Sequence, residues 1–345
     1  MLTFFLDKLL PFSVINQRVW MMFGEFNLID KYFSNRQPQR KDVHLALGDD
    51  CAIVKVPENS RVAISTDTLV AGTHFLAEAN PAWVAHKALA SNISDLAAMG
   101  ATPAWVSLAL TLPEIDEEWL KPFCDAFFEL ANYYNVQLIG GDTTKGPLSI
   151  TLTVQGFLPK EQAMLRSGAK VGDWLYVTGD LGDSQAGLDV ILHPEKRQLP
   201  FAEILEQRHY LSTPRIVAGQ ALVHLASSAI DISDGLIADL QHILRRSNVG
   251  ASIDVSLLPL SKELLQFVDN VTSAQQYALT SGEEYELCFT VPEENRGSLE
   301  NALAHCGTKV TCIGQIRPAG TFELHNQGKK LNWQLAGYDH FKVKS

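Results

Sequence analysis

The chain has no excess of basic residues: 28 Lys and Arg stand against 39 Asp and Glu, a formal charge of −11. Nothing is therefore available to neutralise a long phosphate backbone, which argues against broad binding to nucleic acid. A small anionic substrate stays open, because bound magnesium reverses the local field. The cysteines Cys51, Cys124, Cys288, Cys306 and Cys312 make no CxxC pair and no ligand-spaced cluster. Their odd number argues against a disulfide framework. Cys51 lacks an evident basic partner and reads as a small core residue rather than a nucleophile. No run of about twenty uncharged apolar residues occurs, which argues against a membrane span. Also missing are a GxxxxGK[ST] phosphate loop, the protein-kinase HRD and DFG motifs, and any tandem repeat.

What is present is an ordinary globular composition, 46% apolar, with mean hydropathy +0.01. A chain of 345 residues is more naturally two domains than one. Residues 1–22 are apolar in part but are interrupted by Asp7, Lys8 and Arg18. Lacking a basic start before a clean apolar core, they read as an extension rather than a signal peptide. The expected division is an extension at 1–22, an N-terminal domain at 23–160 and a C-terminal domain at 161–345. Mixed strands and helices in both halves predict two α/β layered domains, and the expected location is cytoplasmic.

Short aspartate motifs recur along the chain: Gly48-Asp49-Asp50, Ser65-Thr66-Asp67-Thr68, Ser94-Asp95, Gly140-Gly141-Asp142-Thr143 and Asp231-Ile232-Ser233-Asp234-Gly235. Carboxylates are costly to bury unless paired or metal-bound. If several converge, they make a hard-cation site of the kind that handles phosphates. The turn at Pro57-Glu58-Asn59 predicts a hairpin of 52–56 with 61–65, which would bring Asp50 and Asp67 together. Asn80 and Pro81 predict a helix start, and Gly100 its end, placing Asn92 and Asp95 on one face. The aromatic face of a helix over 119–134 reads as core.

Each candidate has a plainer alternative. Asp142 suits a cation or an ordinary Gly-Gly-Asp turn; Asp95 suits a site or a solvated helix face. Asp231 and Asp234 could cap the following helix, yet one cap does not require both, and a helix start also favours phosphate. His74 suits a structural role or a substrate contact, and Arg166 suits the surface or a nucleotide phosphate.

Taken in order, the motifs resemble one family. Gly24-Glu25-Phe26, Gly48-Asp49-Asp50, STDTLVAGTHF at 65–75, NISDLAAMGATP at 92–103 and GGDTTKG at 140–146 are similar to thiamine-monophosphate kinases. So are RSGAKVGDWLYVTG at 166–179, DISDGL at 231–236 and GYDHF at 337–341. These kinases belong to the aminoimidazole ribonucleotide synthetase-like proteins. The resemblance implies a two-domain fold whose N-terminal sheets pair in a homodimer. It implies ATP and several magnesium ions, with direct in-line phosphorylation of thiamine monophosphate to thiamine diphosphate. Carried over by motif, Asp50, Ser65, Thr66, Asp67, Asp95, Asp142, Asp231 and Asp234 form the magnesium shell. Gly141, Arg166 and Ser233 touch ATP, while His74, Glu283 and Tyr338 touch thiamine monophosphate. No residue is implied as a general base, since the attacking phosphate is already anionic.

Two positions depart from the family pattern. Glu284 stands where Asp is usual, and Asp180 where threonine is common. The rival expectations are a related ATP-using enzyme with another substrate, a magnesium-dependent phosphohydrolase, and a non-catalytic metal-stabilised dimer.

Overall fold

The computed structural model describes residues 25–335. The expected extension at 1–22 and the candidate Tyr338 lie outside the described residues. The chain first forms helix α1 (Glu25–Tyr32), then the short strands β1 (Val43–Leu45) and β2 (Ile53–Val54), then the long strand β3 (Ser60–Val70). Helix α2 (Pro81–Met99), strand β4 (Thr102–Leu112), helix α3 (Glu117–Tyr133) and strands β5 (Gln137–Lys145) and β6 (Ser149–Pro159) complete the first unit. Its four-stranded sheet has the order β3-β6-β4-β5, with β4 and β5 parallel and the other neighbours antiparallel.

Alternation along β6 shows how the sheet divides its two faces. Ile150, Leu152, Val154 and Leu158 are buried, while the intervening Thr151, Thr153 and Gln155 turn to the other side. Helices α2 and α3 cover the buried face. Leu120, Phe123 and Phe127 recur at helical spacing on α3 and are fully buried, so its aromatics are core, as expected.

The expected hairpin does not form. Strand β2 pairs with β1 instead, Val43 opposite Val54. Strand β3 pairs with β6 along its full length, from Ser60 opposite Pro159 to Val70 opposite Ser149. A two-residue strand offers β3 few ladder bonds, whereas β6 matches all eleven of its residues. Cys51 is a second correction, because it is exposed. Ala52 and Val54 pack with Val43 and Trp105, and the same alternation leaves Cys51 and Ile53 outside.

The second unit is a seven-stranded sheet built from β7 (Trp174–Thr178), β8 (Ser228–Asp231), β9 (Gly250–Asp254), β10 (Leu287–Val291), β11 (Val310–Arg317), β12 (Phe322–Asn326) and β13 (Lys329–Leu331). Its order is β13-β12-β9-β11-β7-β10-β8. The helices are α4 (Asp183–Leu192), α5 (Ala202–Tyr210), α6 (Ile216–Leu222), α7 (Leu236–Ser247), α8 (Lys262–Phe267), α9 (Val271–Thr280) and α10 (Arg296–Leu303). Leu236, Leu240, Ile243 and Leu244 of α7 join Val177, Ile230 and Ile313 of the sheet in a second core.

Helix α2 joins the two units. It starts on Asn80, whose side chain accepts from the Ala82 amide, and ends on Gly100, as the sequence predicts. Its small residues let other backbones approach closely. At Gly219 of α6, an added Cβ would lie 2.0 Å from the Ala97 carbonyl oxygen. The helix is therefore enclosed on nearly every side, and its polar residues Lys87, Ser91, Asn92 and Ser94 are buried.

Candidate active site

One face of α2 looks onto β3. The Asn92 side-chain Oδ1 accepts from the Asp67 amide at 3.2 Å, and the Ser65 hydroxyl donates to Asp95. Alternation along β3 directs Ser65 and Asp67 toward α2. It turns Thr66 and Thr68 to the opposite face, where they meet Thr153 and Thr151, each hydroxyl pair at 2.9 Å. The Thr66 hydroxyl is therefore not gathered with Asp67.

A different part of α2 meets the second unit. Ser94 donates to Asp231, at the end of β8, at 2.7 Å. Asp67, Asp95 and Asp231 thus come together from three distant segments. Burial, then the neighbouring Asp95, pushes Asp67 up to about 6. The same two causes push Asp231 up to about 8. Burial also raises Asp95, although Ser65 and Arg166 oppose it. Among the described residues none of the three forms an ion pair, so their ionisation is disfavoured without a cation beside them.

The start of α7 at Gly235 has no side-chain cap hydrogen bond, so the capping alternative is not realised there. The amides of Ser233, Asp234 and Gly235 all donate to Asp239, at 2.9, 2.9 and 3.1 Å. A carboxylate from within the helix already occupies these donors. Burial pushes Asp239 up to about 7, against the three amides that favour its ionised form. Sequence reasoning missed Asp239; its one signal is an acid in the first turn of a helix.

The turn 281–286 is zipped onto this loop. Glu283 and Tyr285 donate their amides to Ser233 and Ile232 carbonyls at 2.7 and 2.8 Å, and Ile232 donates back to Glu286 at 2.8 Å. Both Glu283 and Tyr285 adopt left-handed backbone, φ 57° and 54°, a costly geometry that surrounding structure must hold. The buried Tyr285 lies within electrostatic reach of Glu283, Asp67 and Asp231 and within hydrogen-bonding reach of Ser91. It separates the carboxylate trio from a second cluster.

In that cluster the Lys87 ammonium donates to Glu283 at 2.8 Å, to His209 Nε2 at 2.9 Å and to the His74 carbonyl at 3.0 Å. Lysine has no acceptor, so His209 Nε2 accepts, and its Nδ1 carries the proton toward the Ser184 carbonyl at 3.1 Å. Burial and then Lys87 push His209 down to about 4. Burial would raise Glu283, but Lys87 and His209 hold it below the usual carboxylate range.

Other candidates are more dispersed. Asp50 is exposed after β1, and Asp142 is exposed on β5 opposite Ala109. No hydrogen bond or ion pair among the described residues ties either to the trio. At Gly141 an added Cβ would lie 1.9 Å from the Leu108 carbonyl oxygen, so contact with β4 requires glycine there. Arg166 lies within electrostatic reach of Asp95 and of His242, and Asp234 also acts on His242. His74 Nδ1 accepts from the Val70 amide at 3.0 Å.

Both family departures find partners. Glu284 accepts from the Gly182 and Ser184 amides, at 2.8 and 3.2 Å, and from the Ser281 hydroxyl. Burial, then Asp183, pushes its carboxyl up to about 8. Asp180 pairs with Lys309 at 2.6 Å, which balances its added charge locally.

Among the described residues, no three His, Cys, Asp or Glu side chains form a ready cage for one ion. Magnesium does not need one. It commonly binds one or two carboxylates, with waters and substrate phosphates supplying the other oxygens. The trio, with the Ser65 hydroxyl beside it, is a hard-oxygen donor set that fits such ions.

The chain matches the family model for AIR synthase related protein, N-terminal domain, over residues 48–158. It matches the corresponding C-terminal domain over residues 170–325. It is 54% identical over 325 residues to thiamine-monophosphate kinase of Escherichia coli K12, covering 93% of this chain and 99% of that one. The crystal structure of thiamine-monophosphate kinase from Stenotrophomonas maltophilia K279a superposes with a TM-score of 0.81 at 39% identity, covering 90% of this chain and 98% of that chain. A structure of AaThiL complexed with AMPPCP and TMP gives a TM-score of 0.73 at 32% identity, covering 92% and 97%. With its two matched domains and its trio assembled from both, the chain belongs to the thiamine-monophosphate kinase family of AIR synthase related proteins.

Proposed function

We propose that the protein transfers the γ-phosphoryl group of ATP to thiamine monophosphate, giving ADP and thiamine diphosphate. The observation that carries this is the trio of half-buried Asp67 and Asp95 with buried Asp231, none in an ion pair among the described residues, in a chain 54% identical to a thiamine-monophosphate kinase. Phosphoryl transfer asks mainly for alignment and charge neutralisation, with little covalent chemistry from the protein. Asp50, Ser65, Thr66, Asp67, Asp95, Asp142, Asp231 and Asp234 are the residues we assign to magnesium; Thr66 would contribute through its backbone, since its hydroxyl faces away. When bound, magnesium supplies neutralisation of the polyphosphate charge. Gly141, Arg166 and Ser233 are assigned to ATP. His74, Glu283 and Tyr338 are assigned to thiamine monophosphate, whose phosphate attacks in line without a general base.

We place the domain boundary at 160/161, directly after β6, and the second copy of a homodimer on the outer face of the four-stranded sheet. That face presents Ile64, 65% exposed, and Gln155, whose buried side-chain oxygen lacks a hydrogen-bond partner among the described residues. A large apolar side chain exposed on a sheet face, as Ile64 is, favours burial against a second copy.

The test is to incubate purified protein with ATP, magnesium and thiamine monophosphate and to separate the products. Equal amounts of ADP and thiamine diphosphate are expected. ADP with free phosphate and no thiamine diphosphate would make the protein a phosphohydrolase. An inert thiamine monophosphate beside another phosphorylated acceptor would overturn the substrate.

A further inference from the structure

Lys87 is fully buried on α2, yet nothing in the phosphate chemistry above uses it. Burying an ammonium is costly and persists only where its three donors are met. Here each donor goes to a different segment. One goes to the loop after β3 through the His74 carbonyl, one to α5 through His209, and one to the turn 281–286 through Glu283. Two of these contacts fall on the residues assigned to thiamine monophosphate.

The geometry at Glu283 is one-sided. Its Oε2 takes the Lys87 bond and lies 3.4 Å from His209 Nε2. Its Oε1 makes no hydrogen bond among the described residues, and the side chain remains 26% exposed. One oxygen is thus anchored while the other stays available. Glu283 also stands in left-handed backbone, which needs outside support. Helical spacing extends the arrangement, because Lys87, Ser91 and Ser94 lie at i, i+4 and i+7 on one face of α2. Ser91 lies within hydrogen-bonding reach of Tyr285 while donating to the Ala88 carbonyl at 3.0 Å, and Ser94 donates to Asp231. The same rigid face therefore sets both the carboxylate trio and the substrate turn.

We propose that Lys87 is a positioning residue for thiamine monophosphate: it fixes Glu283 and the His74 segment in one geometry and leaves Glu283 Oε1 facing the ligand. This rests on the functional reading above. A carboxylate oxygen held there suits the amino and cationic groups of the organic part of the substrate. Lys87 itself touches neither substrate nor ATP, so its effect passes through Glu283 and His74.

The test is steady-state kinetics of wild type, Lys87→Met, Lys87→Gln, Glu283→Gln and the double variant Lys87→Met/Glu283→Gln. Each substrate is varied with the other saturating. Lys87→Met is expected to raise KM for thiamine monophosphate by about 10- to 100-fold, leaving KM for ATP within about twofold. Lys87→Gln, which keeps a donor for the His74 carbonyl, is expected to fall between. The double variant should be no worse than Glu283→Gln alone, and it removes both charges together, which favours folding should Lys87→Met be unstable. An unchanged KM with activity lost only in proportion to folded protein would overturn the proposal. So would multiplicative effects in the double variant. Wild type inert toward thiamine monophosphate would instead defeat the functional reading, a different result from active wild type with indifferent Lys87 variants.

Discussion

Two charged clusters lie along the same buried helix, and they handle their charge in opposite ways. Around Lys87 every charge has a partner: Glu283 is held by the ammonium, and neutral His209 accepts its second proton. Around Asp95 three carboxylates lean on one another, two of them held by the Ser65 and Ser94 hydroxyls and none by an ion pair among the described residues. Arg166 is the cationic side chain that acts on Asp95, and it does so through space. The first cluster is complete within the chain. The second resists ionisation as it stands, and an added cation would favour its charged form. Neutralising Lys87 and neutralising Asp95, both on α2, should therefore change the stability of the folded chain with opposite signs.

Asp95→Asn should give the largest effect. It keeps the shape but removes a charge from the cation site, and thiamine diphosphate formation should fall by on the order of a hundredfold or more. Product chromatography at matched protein concentration checks this. Retained activity would show that Asp95 serves only to hold Ser65.

A smaller effect is confined to acid. His209 lies at about 4 in the folded chain, below its ordinary value near 6.5. The folded state therefore binds this proton less readily than the unfolded state. The stability linked to neutral His209 is present above about pH 6.5 and is lost as pH falls toward about 4, up to about 3 kcal/mol. Replacing it by His209→Gln, which still accepts from Lys87 and does not titrate, should flatten urea-unfolding stability across that interval. An equal slope in the variant would place the acid sensitivity elsewhere.

Much of this was legible in the sequence wherever a local signal exists. Asn80-Pro81 and Gly100 mark both ends of α2, and Trp174 to Thr178 is a strand as expected. Strand pairing was not local. A turn at 57–59 implied that its flanks pair, while the longer ladder with β6 decided the matter. The same misreading gave a wrong reason for placing Asp67 in a site. Its true neighbours come from α2, which joins the trio because its other faces are already buried. Lys87 and Asp239 were invisible for a related cause. A single charge on a helix looks like a solvated face until tertiary packing encloses it. Cys51 erred in the opposite direction, since an apolar residue beside a strand looked buried but lies on the outward side of the alternation.

The division between the clusters is tested most directly by thermal unfolding of wild type, Asp95→Asn and Lys87→Met side by side, without metal or nucleotide. Asp95→Asn relieves repulsion among the three clustered carboxylates and should unfold at a higher temperature than wild type. Lys87→Met leaves Glu283 without its partner and should lose about 3 to 5 kcal/mol. Magnesium with ATP should then raise the wild-type midpoint more than that of Asp95→Asn. A lower midpoint for Asp95→Asn in the bare protein, with an equal response to magnesium and ATP, would contradict a trio whose charge awaits a cation.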